Sequence, residues 1–351
     1  MSFFAWQIEL TTKCALRCRM CIRDSYKDLH SVDMPIDEFR KLAPYLKNVK
    51  HVVLEGWGEP LLYKDLIEAI RISKGAGSRP GFITSGWGLT GDYISDLIKG
   101  GLDFIGFSLA GATSETHDSI RINSHLPDIL QAIREFNRIK SDNGLDRPAL
   151  HIVYLMLKDN LAEIPLLLDL AKRLGIEVVV LMNPVEVTND WQNSRKVFTC
   201  GNEEVNSVLE EAKIKAEELK IALKMSCLSP NTLAVCEEDP INNLFISVDG
   251  QVAPCVYLYP PTSSPIKRIY RGNDMTVEKV SFGNIFSGSL ETIWNSKEYV
   301  AFRQAFKARK EMLELSHFLH PSIALDAGRL SGTAVPDPPE ACGTCHRMLG
   351  I

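Results

Sequence analysis

Short apolar runs alternate with longer amphipathic stretches through the first half of the chain, and this rhythm limits the folds it can adopt. The apolar runs lie at 6–10, 51–54, 81–84, 104–107, 152–157 and 177–181. Helical patterns lie between them at 35–42, 64–74, 92–99, 128–140 and 161–174. Such alternation is typical of βα units that build a parallel sheet. Six units are too few for a closed eight-stranded barrel, so we predict an α/β fold with a partial (β/α)6 TIM-type barrel.

Three cysteines follow the first predicted strand directly, at the end of the sheet where reactive groups gather in such folds. Cys14, Cys18 and Cys21 form a C-x3-C-x2-C run. An odd number of thiols cannot pair internally, so metal or iron–sulfur binding is favoured over a disulfide. Tetrahedral zinc and a [4Fe–4S] cube each need four ligands. The run therefore predicts a cube with one open iron, or a zinc site that a distant His or Cys completes.

The cysteine run, with Met20 just before its last cysteine, resembles the signature of radical S-adenosylmethionine (radical SAM) enzymes. The resemblance implies a [4Fe–4S] cluster whose open iron is chelated by the amino and carboxylate groups of S-adenosylmethionine. One electron then cleaves the sulfonium to a 5′-deoxyadenosyl radical, which abstracts hydrogen from a substrate. The resemblance also implies an electron donor such as ferredoxin or flavodoxin.

The composition gives limits on partners and location. The chain has 351 residues, 45% of them hydrophobic and 24% charged, as in soluble globular proteins. Its net charge of −5 and the lack of a basic tract argue against a nucleic-acid partner. No export signal or membrane-length apolar run is visible in the sequence, so we expect no membrane association and a cytoplasmic protein with metal-bound thiolates.

The second predicted strand runs into a glycine-rich turn, Glu55-Gly-Trp-Gly-Glu-Pro60. Glycines let backbone carbonyls approach a ligand, and a carboxylate can pair with an ammonium group. The turn resembles the GGEP motif of radical SAM enzymes, with Trp57 where a second glycine is usual. The resemblance assigns the backbone of Gly56 and Gly58, and the side chain of Glu59, to the methionine amino group.

Two further turns follow the third and fourth predicted strands. The first, Thr84-Ser85-Gly86, resembles the family's T-N-G turn, with Ser85 in place of Asn, and either contacts the cofactor or substrate or is a plain turn. The second resembles an S-x-D-G segment followed by H-D-x-x-R, which assigns Ser108 and Arg121 to the ribose and carboxylate of the cofactor. An arginine suits a carboxylate because its planar fork donates two hydrogen bonds. Ala110 replaces the usual Asp of this segment.

We assign no catalytic acid or base from the sequence. His117 and Asp118 are expected to be local capping and turn groups, and Asn160 a helix cap. Met182 and Asn183 follow the sixth predicted strand and either line an adenine pocket or pack in the core.

A second cysteine set lies beyond about residue 220, where the βα rhythm is lost. Residues 244–253 have the alternation and the Asp-Gly turn of a β-hairpin. Cys236 and Cys255 flank this hairpin, and Cys342 and Cys345 form a C-x2-C pair later in the chain. Together these four cysteines predict a closed four-thiolate site.

This second set resembles the SPASM auxiliary-cluster domain. The spacing C-x13-G-x4-C and the later G-N-I, L-x-x-I-W and R elements match that domain. The resemblance implies one auxiliary [4Fe–4S] cluster in a shortened, twitch-like form, with zinc as the alternative. Cys200 and Cys227 are left over as buried or free thiols, although Cys227 could replace Cys236. We place the partial barrel at 1–219 and the auxiliary domain at 220–351.

These observations predict a radical SAM enzyme, and the substrate stays open. Relatives with this auxiliary domain mostly modify peptides or protein side chains, so we expect a maturase first. The alternatives are dehydrogenation of a small alcohol such as an aminocyclitol, and maturation of a tungsten enzyme or its cofactor. A non-catalytic, metal-binding interaction protein is the alternative of another class.

Overall fold

The computed structural model describes residues 1–198, 203–231, 233–263, 265–319 and 335–351, with no side-chain description for 316–319. In chain order the strands are β1 (Phe3–Ile8), β2 (Arg17–Cys18), β3 (Val49–Val53), β4 (Arg79–Thr84), β5 (Phe104–Leu109), β6 (Arg121–Ile122), β7 (Ala149–Leu155), β8 (Val178–Met182), β9 (Ala222–Met225), β10 (Asn243–Ile246), β11 (Val252–Ala253), β12 (Ile266–Tyr270) and β13 (Asn273–Val277).

Helices connect most of these strands. In chain order they are α1 (Ile36–Leu46), α2 (Leu66–Gly75), α3 (Gly91–Gly100), α4 (Ser114–Ile120), α5 (Leu126–Asp142), α6 (Ile164–Arg173), α7 (Asp190–Arg195), α8 (Glu203–Leu219), α9 (Leu290–Trp294) and α10 (Lys297–Leu319).

One large sheet organises the fold, with strand order β11-β10-β1-β3-β4-β5-β7-β8-β9. The six predicted barrel strands are neighbours in this sheet, and every pairing among them is parallel. The predicted α/β class with a partial parallel barrel and a hairpin-containing auxiliary region is therefore confirmed. The carboxyl ends of these strands lie along one edge of the sheet, where the turns singled out in the sequence converge.

The sheet continues past both ends of the predicted six-stranded core. Strand β9, which was not predicted, pairs in parallel with β8. Its four residues alternate between exposed and half-buried, as at a sheet edge, so the segment lacks a continuous apolar run. At the other end, β10 pairs in parallel with β1 and makes the predicted hairpin with β11. Gly250 in the hairpin turn has a φ of +82°, a conformation that glycine adopts readily.

The core lies between the sheet and its helices. Trp6, Ile8 and Leu10 alternate along β1 and its extension and are at most 1% exposed. Phe39 and Leu42 of α1 are three residues apart and face the same core, as the helical period requires. Gln7, which lies between Trp6 and Ile8 on β1, faces the other side of the sheet.

Helix α10 ties the auxiliary region to the barrel. Phe282 stacks on Tyr299 of α10 at a centroid distance of 4.0 Å, and Trp294 packs against both Tyr299 and Phe3 of β1. Farther along α10, Phe306 is fully buried in a small core with Cys342 and Cys345. The helix thus carries packing contacts from the first strand to the second cysteine set.

None of the helices in the described part of the chain combines the length and the apolar character that crossing a bilayer requires.

Candidate functional site

The first cysteine set lies in a loop held to the strand edge by backbone pairing. Strand β2 carries Cys18 and pairs antiparallel with β6, so that Cys18 lies opposite Arg121. The amide of Cys21 donates to the carbonyl of Cys18 at 3.0 Å, which turns the loop back on itself. This pairing brings the cysteine run and the segment of Arg121, more than a hundred residues apart in sequence, to one side of a cavity.

A cavity of about 290 Å³ lies between this loop and the carboxyl ends of the central strands. It brings together all the N-terminal site residues predicted from the sequence, which are Cys14, Cys18, Met20, Cys21, Gly56, Gly58, Glu59, Ser85, Ser108 and Arg121. Trp57, Thr84 and Val153 also line it.

The cysteine side chains have the chemistry of a metal site. Burial, with a smaller contribution from the charges of Cys18 and Cys14, raises the pKa of the Cys21 thiol to about 12. Burial also raises the pKa of Cys14 above its ordinary value. Thiols in this environment need a bound cation to ionise, because a metal stabilises the thiolate that burial disfavours. Across the described residues, no three Cys, His, Asp or Glu side chains converge closely enough to hold a single metal ion.

The glycine turn packs directly against the chain that leads into the cysteine loop. A Cβ atom on Gly58 would lie 2.2 Å from the carbonyl oxygen of Thr11 and 2.8 Å from that of Lys13. The amide of Glu59 donates to the same Lys13 carbonyl at 2.7 Å. A Cβ on Gly56 would lie 2.5 Å from Cγ of Glu9. Gly58 is therefore required by close approach to backbone, and Gly56 by the buried side chain of Glu9, so the turn packs against the chain that leads into the cysteine loop.

Glu59 is buried and its carboxylate orientation is fixed by the turn after β4. Thr84 Oγ1 donates to Oε1 at 2.5 Å, and the amide and hydroxyl of Ser85 donate to Oε2 at 2.8 and 2.6 Å. The Ser85 hydroxyl therefore acts on Glu59, a role that the sequence did not indicate. The carboxylate remains on the cavity wall, where a ligand ammonium can reach it.

Arg121 offers an unsatisfied cationic group to the cavity. Its Nε atom is buried and has no hydrogen-bond partner among the described residues. A buried donor without a partner is costly, and a ligand carboxylate would satisfy it. The donor set of the cavity, with buried thiols, one fixed carboxylate and one unsatisfied guanidinium, fits a metal-bound ligand that carries both an amine and a carboxylate.

The other polar residues singled out in this region have local structural roles. The ring of His117 accepts from the amide of Ala110 at 3.2 Å, and burial followed by the charge of Arg121 lowers the pKa of His117 to about 3. Asp118 accepts from the amide of Leu126 at 3.0 Å, at the start of α5.

Two asparagines stay away from the cavity. Asn160 accepts from the amide of Leu157 at 2.8 Å and donates to the carbonyl of Ala110 at 3.0 Å, joining the ends of β5 and β7. Asn183 donates to the carbonyl of Cys227 at 2.8 Å. Neither these residues nor Met182 lines the cavity.

The second cysteine set forms its own buried cluster with Phe306 and Met348. The four predicted residues, Cys236, Cys255, Cys342 and Cys345, pack in this one core. Burial raises the pKa of Cys236 to about 12, and the charge of Cys345 contributes. Cys227 is exposed and takes no part in this set, and Cys200 lies outside the described residues.

Buried arginines lie around the second cysteine set, and none of them was predicted to be there. Arg309 of α10 donates to the carbonyls of Leu233 at 2.7 Å and Ala234 at 3.1 Å, and also to that of Pro336. It thereby joins the segment before Cys236 to the segment before Cys342. A long-range carbonyl clamp of this kind leaves no local sequence pattern.

A buried ion pair lies against the same cysteines. Arg268 and Glu186 are 2% and 6% exposed and are joined by two hydrogen bonds of 3.1 and 3.0 Å. Arg268 also donates to the carbonyl of Ala341, beside Cys342, at 2.9 Å. Burial lowers the pKa of Arg268, but the charge of Glu186 and, after it, that of Cys345 outweigh this effect and hold the pKa above its usual range.

Two residues connect the glycine turn to the second cysteine set. Trp57 Nε1 donates to the carbonyl of Val256, the residue after Cys255, at 3.2 Å. Glu9, 1% exposed, accepts from the amide of Trp57 at 2.8 Å and from that of Val248 in the hairpin at 3.3 Å. Burial raises the pKa of Glu9 to about 7.

Glu55 lies where two cavities meet. It lines the 290 Å³ cavity and also a neighbouring cavity of about 210 Å³ that reaches Cys255, Glu237 and Glu238. Its Oε2 accepts from the amide of Ile83 at 2.6 Å, and burial raises the pKa of Glu55 to about 7. From the sequence, Glu55 was predicted only as the first residue of the glycine-rich turn.

Comparison with protein-family models gives two matches. Residues 8–171 match the radical SAM superfamily, and residues 236–315 match the SPASM iron–sulfur cluster-binding domain. The first range contains every residue that lines the 290 Å³ cavity, and the second contains Cys236 and Cys255.

Comparison with curated proteins and solved structures agrees with these matches. A tungsten-containing aldehyde ferredoxin oxidoreductase cofactor-modifying protein of Pyrococcus furiosus is 25% identical over 84% of this chain and 82% of its own length. The structure of Streptococcus suis SuiB bound to S-adenosylmethionine aligns over 86% of this chain and 68% of that one, with 15% identity and a TM-score of 0.63. That of anSMEcpe with bound AdoMet aligns over 86% and 83%, with 13% identity and a TM-score of 0.62.

Proposed function

Because this chain belongs to the radical SAM superfamily and carries a SPASM domain, we propose that it is a maturation enzyme that modifies a peptide or protein by radical chemistry. The two domains imply a [4Fe–4S] cluster that works with S-adenosylmethionine and auxiliary iron–sulfur binding. The chain is accordingly an enzyme of the radical SAM type.

The observation that carries the proposal is the single cavity lined by Cys14, Cys18 and Cys21 together with the turns after β3, β4 and β5. When bound, the cluster supplies the electron that cleaves S-adenosylmethionine to a 5′-deoxyadenosyl radical. The protein's part is to hold the cofactor at both charged groups of its methionine moiety.

Different residues of the cavity would hold different groups of the cofactor. Glu59, oriented by Thr84 and Ser85, would pair with the ammonium group. Arg121, with its unsatisfied Nε, would pair with the carboxylate, and Ser108 would meet the ribose. Gly56 and Gly58 let the backbone of the turn come close to the cofactor. Met20 lies on the wall beside the cysteines.

The proposed substrate class is supported by fold neighbours. A structure of SuiB with its precursor peptide SuiA aligns over 86% of this chain, with 16% identity and a TM-score of 0.60, and the peptide bound by that protein motivates the proposal of a peptide substrate here. A second candidate is maturation of a tungsten-enzyme cofactor, which the cofactor-modifying relative from P. furiosus favours by its coverage of both chains. No observation of comparable weight favours dehydrogenation of a small alcohol.

We further propose that the auxiliary site is a single [4Fe–4S] cluster held by Cys236, Cys255, Cys342 and Cys345 in a shortened SPASM domain over 220–351, after a barrel domain over 1–219. Their common burial in one core supports this ligand set. A ferredoxin or flavodoxin is the proposed electron donor, and the cytoplasm the proposed location.

The test is reductive cleavage of S-adenosylmethionine by anaerobically reconstituted protein. We expect the wild type, with dithionite as reductant, to form 5′-deoxyadenosine, and Cys18→Ala to form none while it keeps the iron of the auxiliary site. Cys227→Ala is the matched control, because Cys227 is exposed and lies outside both cysteine sets. Reconstituted wild-type protein that holds iron but forms no 5′-deoxyadenosine would contradict the proposal.

A further inference from the structure

The outer face of the first cysteine loop is strongly basic in a chain that is acidic as a whole. Between residues 13 and 27 there are five basic residues and one acidic residue, whereas the chain carries a net charge of −5. These charges lie in the same loop as Cys14, Cys18 and Cys21. Such local reversal of sign produces a positive potential that attracts an anionic partner.

Four of these five basic residues have no ion pair. Lys13 pairs with Asp33 at 2.7 Å, but no carboxylate in the described part of the chain lies within ion-pairing distance of Arg17, Arg19, Arg23 or Lys27. Surface cations in a folded protein often have a nearby carboxylate, as the ion pairs on α1 and α5 show here. The positive charge of the loop is therefore not neutralised within these residues.

A groove opens on this face. Its volume is about 1060 Å³, and Arg17, Arg23 and Lys27 line it together with one carboxylate, Asp24, and with Cys14 and Cys18. The same two cysteines also line the 290 Å³ cavity. The cysteine loop therefore borders both the proposed cofactor cavity and a predominantly basic groove.

Arg17 and Lys27 are exposed, and each lies on a segment whose backbone is held by hydrogen bonds. Arg17 lies on β2, paired with Ile122 of β6. Lys27 lies in the segment between Tyr26, whose hydroxyl accepts from the amide of Lys267 at 2.7 Å, and His30, whose amide donates to the carbonyl of Pro261 at 2.9 Å. The basic face is therefore presented on an ordered loop.

We propose that this groove is the docking surface of an acidic one-electron carrier protein, which delivers its electron at Cys14 and Cys18, the two cysteines that line both the groove and the 290 Å³ cavity. The inference rests on the proposed function and adds where the donor binds and which charge it carries. A carrier in the groove reaches the thiolates without entering the cofactor cavity, so cofactor and donor can bind together. An acidic peptide substrate is the competing occupant, and the test separates the two.

The test compares two electron sources in reductive cleavage of S-adenosylmethionine. Flavodoxin reduced to its hydroquinone gives one electron and becomes the semiquinone, and each electron releases one methionine and one 5′-deoxyadenosyl radical that takes up hydrogen. Dithionite, a small reductant, needs no docking surface. The variant is the double charge reversal Arg17→Glu/Lys27→Glu.

We expect the double variant to lower the flavodoxin-supported rate at low salt by about tenfold or more, because reversing rim charges acts mainly on association. The deficit should shrink as salt rises, since screening removes long-range attraction in the wild type. The dithionite-supported rate should stay within about twofold of the wild type. A binding isotherm for flavodoxin with each protein gives a readout that is independent of turnover.

The matched control reverses one lysine and one arginine elsewhere, Lys99→Glu/Arg173→Glu. Both residues are exposed and lie at the carboxyl ends of α3 and α6, which return to the opposite edge of the sheet. We expect this control to keep the flavodoxin-supported rate.

Three results would overturn the proposal. These are an unchanged flavodoxin-supported rate and affinity in the Arg17→Glu/Lys27→Glu variant, an equal loss with dithionite, and an equal loss in the control variant. A variant that loses affinity only for an acidic peptide would assign the groove to substrate and also reject a carrier site. Failure of the proposed function itself looks different, because the wild type would then form no 5′-deoxyadenosine with dithionite.

Discussion

Trp57 Nε1 donates a hydrogen bond of 3.2 Å to the carbonyl of Val256, so the turn that lines the 290 Å³ cavity is joined to the residue after Cys255. The ring of Trp57 also packs edge-on against Tyr257 at a centroid distance of 6.0 Å. The position that departs from the family's usual glycine is thus the one that contacts the auxiliary region.

We predict that Trp57→Gly, which restores the usual residue, weakens this connection. Loss of one hydrogen bond and one aromatic contact should cost roughly 1–3 kcal/mol. Trp57→Phe should lose less, because it keeps a ring against Tyr257. The measurement is the unfolding midpoint of each variant together with hydrogen exchange of the amides at 253–258. Equal protection of these amides in wild type and Trp57→Gly would contradict the prediction.

A second prediction concerns pH and Glu9. Burial raises the pKa of this carboxyl to about 7, so the folded protein holds its proton at pH values where the unfolded chain, with a pKa near 4.5, has released it. Because the folded state binds more protons between these values, stability from this group falls as pH rises from about 4.5 to 7, by roughly 1.4 kcal/mol per unit of pKa shift.

The measurement for Glu9 is the difference in unfolding free energy between wild type and Glu9→Gln at pH 5 and at pH 8. We expect the wild type to lose stability relative to the variant on going to pH 8, since glutamine does not ionise. The same difference at both pH values would show that Glu9 does not titrate in this range.

A third prediction concerns Glu59. If its carboxylate pairs with the ammonium of S-adenosylmethionine, Glu59→Gln removes the charge and should weaken cofactor binding by about tenfold to a hundredfold, as expected for a charge-assisted hydrogen bond worth about 1.5–3 kcal/mol. Ser85→Ala should have a smaller effect, because Thr84 and the amide of residue 85 still hold the carboxylate. Anaerobic titration calorimetry with reconstituted protein measures both. Wild-type affinity in Glu59→Gln would remove Glu59 from the site.

A fourth prediction concerns Arg309. Its guanidinium holds together the segments before Cys236 and Cys342 through three carbonyls, so Arg309→Met should lower the iron content of the auxiliary site and leave that of Cys14, Cys18 and Cys21 in place. Lys310→Met on the same helix is the control, because Lys310 is exposed and far from these carbonyls. Iron analysis and electron paramagnetic resonance separate the two sites. Equal iron loss from both cysteine sets would show that Arg309 supports the whole fold instead.

The local parts of the fold and site could be predicted from the sequence. The six strands, the hairpin at Gly250 and the cavity turns each have their signal within a few adjacent residues. Strand β9 had none, because a half-exposed edge strand lacks an apolar run.

The site residues that could not be predicted from the sequence are those whose partners lie far away in the chain. The partners of Glu9 are Trp57 and Val248, those of Arg309 lie on two loops, and Arg268 meets Glu186. Long-range pairing of this kind is set by tertiary packing. Ser85 was predicted at the cavity, but its hydrogen bond to Glu59 could not be predicted, because that bond depends on how the ends of two neighbouring strands are placed.

The glycine turn has a consequence for sequence divergence among related proteins. Position 58 faces the backbone of Thr11 and Lys13, where a side chain has no room. Because these residues belong to the barrel, this restriction does not depend on which domain follows it. Position 57 faces the auxiliary region instead, so the residue types it tolerates depend on the domain that packs against it. In an alignment, residue 57 should covary with residues 256 and 257 while residue 58 stays glycine, which makes one position of the turn a marker for the appended domain.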